Sequence, residues 1–174
     1  MYNLDTTFTE GNFCVEWWEL PTIAATSQVS HSQRIGMNTQ GSTYQGMLLG
    51  YGGSGYIYAS NSSSAWDIFS AVAITNGWNS APTTEWTHFA LDKKGIKWYL
   101  YKNGVCVWQG TNNTGVHPIN KGLWYLGFNF QGYITGLRIS KTSRYIDPWY
   151  KTNISKPEYA HIINDGLLLE NQTV

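Results

Sequence analysis

The sequence predicts an all-β domain, an antiparallel β-sandwich or jelly roll of two sheets, and three observations carry that prediction. Apolar residues alternate with period two in segment after segment, while helical spacing is scarce. Turns rich in Gly, Asn and Ser separate these segments at roughly 8–14-residue spacing, the pattern of many short strands. Aromatic residues make up 16% of the 174-residue chain and charged residues only 13%, against about 25% in ordinary soluble domains. Such a chain can bury a core, and its length suits one domain.

The strands follow in order. Phe13, Val15 and Trp17 share one face of the first strand, and Cys14, Glu16 and Trp18 the other. Residues 46–51 and 55–60 flank Gly52-Gly53-Ser54 and read as a hairpin. A further strand runs from Trp66 to Ile74 after the loop Asn61–Ser64, and a polar loop opened by Asn76-Gly77 continues to Thr84. Residues 86–91 and 96–101 form two more strands around the turn Asp92-Lys93-Lys94-Gly95. Asn103-Gly104, between residues 98–101 and 105–108, is the strongest hairpin signal, because both central turn positions need positive φ. Residues 123–130 and 133–140 supply two strands, and residues 159–170 read as a terminal hairpin around Asn164-Asp165-Gly166. The sandwich occupies residues 1–150, and residues 151–174 are a C-terminal extension of the same domain.

Charge excludes several functions. Eleven basic and eleven acidic side chains cancel, whereas nucleic-acid binders and polybasic membrane-surface proteins carry a basic excess. No window approaches the ~20 apolar residues of a membrane helix, and residues 1–5 carry no signal-peptide pattern. Cys14 and Cys106 are too few for a disulfide framework or a zinc site, and reduced thiols are expected. Asn-x-Ser/Thr acceptor patterns at Asn61, Asn112, Asn153 and Asn171 are read as coincidence in a chain so rich in these residues.

No catalytic group is expected. Retaining glycoside hydrolysis needs two carboxyl groups about 5–5.5 Å apart. Glu16 and Glu19, three positions apart on one strand, point to opposite faces, so Glu16 reads as structural. His31, His88, His117 and His161 lie far apart without metal-ligand spacing, and no Gly-x-Ser-x-Gly elbow occurs. Asp67, Asp92, Asp147 and Asp165 are scattered rather than gathered into the oxygen cluster calcium needs, so no cofactor is expected and calcium stays as the open alternative. Lys93, Lys94, Lys97 and Lys102 gather around one hairpin and read as a solvated edge that discourages strand-to-strand association.

Five motifs, taken in order, resemble a known family. Phe13–Trp18 followed by Pro21 is similar to the opening strand of laminin-G-like, concanavalin A-like domains. Trp86-Thr87-His88-Phe89-Ala90 resembles their W-x-H-x-A strand, and Tyr101-Lys102-Asn103-Gly104 the Y-x-N-G hairpin. Tyr125-Leu126-Gly127 resembles Y-I-G. Residues 132–141 with Ser143-Arg144-Tyr145 resemble the closing G-Y-I-D-E-L-R-I-S-K…R-Y, except that Thr135-Gly136 replaces Asp-Glu. The resemblance spans residues 4–150 and implies a concanavalin A-like sandwich of the type found in phage and bacterial surface proteins. It implies packing roles for Trp17, Trp86, Trp98 and Trp124 and a structural hydrogen bond for His88. It also implies a glycan-binding, adhesion or virion-decorating module located on a virion or an extracellular surface.

Sugar recognition needs flat aromatic faces and groups that bond hydroxyls. Trp78 lies in the polar loop 75–80, Trp66 follows the Asn61–Ser64 loop, and Trp108 precedes a second Asn-rich loop. These three are the candidate platforms, with Asn76, Asn79 and Asn112 as hydrogen-bonding neighbours. The expected partner is a cell-surface or polymeric glycan. The competing expectation is a structural virion protein, in which the aromatic surface and residues 151–174 dock on other virion or surface-assembly subunits without binding sugar.

Overall fold

A computed structural model of the protein describes residues 10–24, 27, 33–37, 46–51, 55–61, 65–74, 83–118 and 124–145. Among them are ten strands: β1 (Phe13–Pro21), β2 (Ile35–Met37), β3 (Gly46–Tyr51), β4 (Tyr56–Ser60), β5 (Phe69–Ala73), β6 (Thr87–Lys94), β7 (Lys97–Lys102), β8 (Val105–Thr111), β9 (Trp124–Leu126) and β10 (Gly132–Ser140). They make two antiparallel five-stranded sheets, ordered β10-β1-β6-β7-β8 and β5-β4-β3-β2-β9. The all-β sandwich read from the sequence is the observed architecture. No helix among the described residues is long and apolar enough to cross a membrane.

Period-two alternation decides what meets between the sheets. Phe13, Val15 and Trp17 of β1, Phe89 and Leu91 of β6, and Trp98 and Leu100 of β7 pack against Ile35, Met47, Leu49, Ile57, Ala59 and Phe69 of the second sheet. Trp98 lies edge-on to both Phe13, with centroids 5.4 Å apart, and Phe69, at 5.3 Å. Trp17 and Trp98 thus take the packing roles expected of them, while Trp86 is half-buried just before β6. The side chain of Trp124 and the expected hairpin at 159–170 lie outside the described residues.

One buried ion pair ties the sheets together. Arg34, just before β2, stands 3.6 Å from Glu19 of β1, donates from Nη1 to the Gly50 carbonyl at 3.0 Å, and lies over the Phe130 ring. Glu19 also accepts from the Trp17 indole N–H. Desolvating two charges is costly, and the additional hydrogen bonds help offset that cost.

Glycines shape the sheets at two bulges. Between Glu16 and Trp18 the β1–β10 register slips by one residue at Gly136, whose φ of 60° suits the first position of a glycine bulge. Thr135-Gly136 departs from the Asp-Glu of the resembled motif at this backbone irregularity. The β3–β4 ladder slips likewise at Gly50, φ 65°.

Three sequence expectations change. The turn between β6 and β7 is Gly95-Ile96 rather than residues 92–95, because Asp92 and Lys93 pair in the ladder with Tyr99 and Trp98. Lys93 is no solvated edge residue: it is fully buried, donates to the Gly11 carbonyl at 2.6 Å and lies over the Phe13 ring. Lys97 and Lys102 sit on β7, which has a neighbour on each side. The strand expected from Trp66 begins at Phe69, since the Asp67 carboxylate is engaged in closing the preceding loop.

The cysteines are free, and topology explains why. Cys14 lies on β1 and Cys106 on β8, with β6 and β7 between them. Three inter-strand spacings of about 4.8 Å separate them by roughly 14 Å, beyond the ~7 Å Cα limit for a bridge.

Candidate functional site

In β4, Ile57 and Ala59 turn into the core, so Tyr56 and Tyr58 face outward from the second sheet. Both remain half-buried rather than covered. Their rings stand 6.2 Å apart at an interplanar angle of 62°. Beyond β4 the chain turns back: the Asn61 backbone N–H donates to Asp67 Oδ1 at 2.7 Å, closing the loop that carries Trp66. Trp66 consequently lies beside Tyr58, centroids 5.1 Å apart and planes tilted by 53°. The three rings form a strip along β4, ending at the exposed Asp67 carboxylate.

The same face continues across the sheet. Tyr58 pairs in register with Leu48, and Leu48 with Gly36. A Cβ at Gly36 would run into the side-chain amide oxygen of Gln33 and touch Leu48, so the Gln33 amide lies directly over this glycine. With strands about 4.8 Å apart, roughly 10 Å separates Gln33 and Gly36 from Tyr58. The rings therefore adjoin Asp67 and share their sheet face with an amide about two strand spacings away, and rings with such polar groups are the combination that recognises a sugar's C–H face and its hydroxyls.

Of the residues singled out by sequence, Trp66 belongs to this strip. Trp108 instead meets Phe69 edge-on at 5.7 Å, on the inner side of β5, and packs against the core. Asn112 is buried: its Nδ2 donates to the Val116 carbonyl at 2.6 Å, and its Oδ1 accepts from the N–H and hydroxyl of Thr114. The structure thus does not bring Trp108 and Asn112 to Tyr58 and Trp66. Asn76, Trp78 and Asn79 lie outside the described residues. Sequence reading missed Tyr56, Tyr58 and Gln33. The signal for the tyrosines was their i, i+2 spacing in the second hairpin strand; nothing local marks Gln33.

The outer face of the first sheet is built differently. Glu16, 3% exposed, accepts from the Tyr145 hydroxyl at 2.6 Å and from Arg138 Nε, with Arg144 Nε at 3.4 Å and His88 Nε2 at 3.6 Å. Burial alone would raise its pKa, but the groups donated by His88, Tyr145 and Arg138 outweigh it and hold the carboxyl at about 2. Asp92 accepts from the Ser143 hydroxyl at 2.6 Å and from the backbone N–H groups of Arg144 and Tyr145. Its pKa is nevertheless raised, because desolvation dominates those bonds. The Tyr145 ring stacks on Tyr101 at 4.7 Å. Residues 143–145 therefore strap this face, and its carboxylates are engaged internally. Glu16 and Glu19 point to opposite sides of β1, as expected. Among the described residues, no group of three His, Cys, Asp or Glu stands close enough together to hold a metal ion.

No protein-family model matches the chain, and no curated protein matches it. Solved structures do. Domain 4 of AbnA, a GH43 extracellular arabinanase from Geobacillus stearothermophilus solved in complex with arabinotriose, is 22% identical with a TM-score of 0.54, covering 76% of this chain and 62% of that one. A putative carbohydrate-binding protein from Bacteroides ovatus is 14% identical with a TM-score of 0.53, over 83% of this chain and 40% of that one. A botulinum neurotoxin serotype D/C binding domain is 13% identical with a TM-score of 0.53, over 77% and 34%. The chain spans less than two thirds of the length of each. At these identities the likeness is one of fold. The chain is an all-β sandwich with the architecture of carbohydrate-binding and receptor-binding domains.

Proposed function

We propose that the chain is a non-catalytic carbohydrate-binding module whose ligand lies along Tyr56, Tyr58 and Trp66. The observation that carries this reading is the Tyr58–Trp66 pair, held half-exposed on an outer sheet face by the Asp67–Asn61 loop closure. A sugar stacked on Trp66 meets Tyr58 at an angle, so two neighbouring units of a twisted glycan each find a ring. Trp78, Asn76 and Asn79 remain candidates for sugar contact on the sequence alone. The arabinotriose bound by the AbnA domain supports sugar binding on this architecture.

The motif order from Phe13 to Tyr145 supports a laminin-G-like, concanavalin A-like sandwich. From that resemblance we assign the module to a phage particle or bacterial surface assembly, on the virion or the cell exterior. The test is a glycan array that includes bacterial surface polysaccharides, probed with labelled chain. Hits competed by free sugar and weakened by Trp66→Ala support the reading. A negative array from folded protein would overturn it in favour of a structural role among virion subunits.

A further inference from the structure

We infer that the ligand of the Tyr56–Tyr58–Trp66 face is an uncharged glycan segment, an inference that rests on the carbohydrate-binding reading and adds its chemical class. No Lys or Arg occurs between Arg34 and Lys93, a stretch that contains the whole of β2, β3, β4 and β5 with their connections. Arg34 itself is fully buried and engaged with Glu19, the Gly50 carbonyl and Phe130. A uronate, sialate or sulfate ester would therefore meet no cation from these strands. It would meet Asp67, whose exposed carboxylate repels it.

Among the described residues, the other cations lie on the first sheet or directly after it. Ten of the eleven basic residues are at Lys93 or later. The half-exposed guanidinium groups of Arg138 and Arg144 sit on the opposite outer face around Glu16. Recognition of acidic polymers draws on such groups through charge-assisted bonds and counterion release. The strip offers tyrosine and indole rings, the Gln33 amide and a carboxylate that accepts from hydroxyls. These suit the C–H faces and hydroxyl groups of a neutral sugar and leave the complex largely indifferent to salt.

The experiment titrates the intact chain with neutral polymers (arabinan, galactan, mannan, β-glucan) and acidic ones (polygalacturonate, polysialate, hyaluronate) in 50 and 500 mM NaCl. Trp66→Ala and Tyr58→Ala are run alongside, with near-ultraviolet circular dichroism checking their folding and Trp66→Phe as the conservative variant. The expected result is saturable binding to a neutral polymer that changes less than about twofold with salt. It falls at least about tenfold in both alanine variants and is largely kept by Trp66→Phe. Binding confined to acidic polymers and lost at high salt would overturn the neutral assignment while keeping the carbohydrate reading. Neutral binding that both alanine variants retain would overturn the assignment to this face. No binding to any polymer by folded protein would overturn the carbohydrate reading itself.

Discussion

The Tyr145 hydroxyl donates to Glu16 Oε2 at 2.6 Å, joining two positions 129 residues apart in the sequence. The same tyrosine stacks on Tyr101, so one side chain pins the 143–145 strap to β1 and β7 at once. Tyr145→Phe keeps the stack and removes only the bond to the carboxylate. The expected cost is about 1.5–3 kcal/mol, a fall in Tm of roughly 4–10 °C in a domain of this size. Calorimetry of the two proteins at pH 7 checks this. An unchanged Tm would show that Arg138 and Arg144 satisfy Glu16 alone.

Acid stability should depend on Glu16. Its carboxyl is held at about 2 in the fold against an ordinary 4.5. A lowered folded-state pKa stabilises fully above the unfolded value and is lost as pH falls through the folded one. The loss therefore runs from about pH 4.5 down to about pH 2, on the order of 3 kcal/mol in all. Asp92, raised by burial, has the opposite sign and softens that loss. Glu16→Gln should lower stability at neutral pH and flatten the decline below pH 4.5. Urea midpoints for both proteins between pH 2 and 7 measure it, and parallel curves would refute it.

Tryptophans in the core and on the strip should separate stability from binding. Trp98 is fully buried between Phe13 and Phe69, so Trp98→Ala is expected to cost about 3–5 kcal/mol. Trp66 is half-buried on an outer face, and its truncation should cost under about 1 kcal/mol while weakening glycan binding. Denaturant titration alongside affinity electrophoresis compares the two. A Trp66→Ala protein as unstable as Trp98→Ala would make Trp66 a packing residue.

The thiols should differ in reactivity. Cys14 is fully buried, and desolvation together with Asp92 and Glu16 pushes its thiol far above the ordinary range. Cys106 is half-buried and raised less strongly, again by desolvation. Iodoacetamide at pH 8 should label Cys106 slowly in the native protein, and Cys14 only when denaturant is added. Mass spectrometry of labelled peptides reads the order, and equal labelling of both in native protein would contradict it.

How much of this was readable in the sequence depended on whether the cause was local. Asn103-Gly104 announced its hairpin, and both residues have positive φ, 48° and 78°. That Asn103 Oδ1 also accepts the His88 backbone N–H was not readable, because the strand it braces is defined only by pairing. The alternation in β1 identified the core face but gave no hint that Glu16 on the other face gathers partners from β6, β10 and the strap. Lys93 was misread because a lysine in a charged run ordinarily faces water, whereas here the Gly11 carbonyl and the Phe13 ring receive it. Trp66 was found through its loop. Its neighbour Tyr58 was not, because their contact depends on where Asp67 closes that loop.

The place of β1 between β6 and β10 bears on how the chain reaches this fold. Both partners of β1, Thr87–Lys94 and Gly132–Ser140, lie far downstream. A ribosome adding about 5–20 residues per second leaves this apolar strand without either neighbour for several seconds. Both of its hydrogen-bonding edges are open over that interval, and closing such distant pairs is slow. Pairing of β1 therefore begins only once β6 has been made, and the sheet is completed only with the edge strand β10. Phe13–Pro21 is the segment that holdase chaperones would meet on the nascent chain.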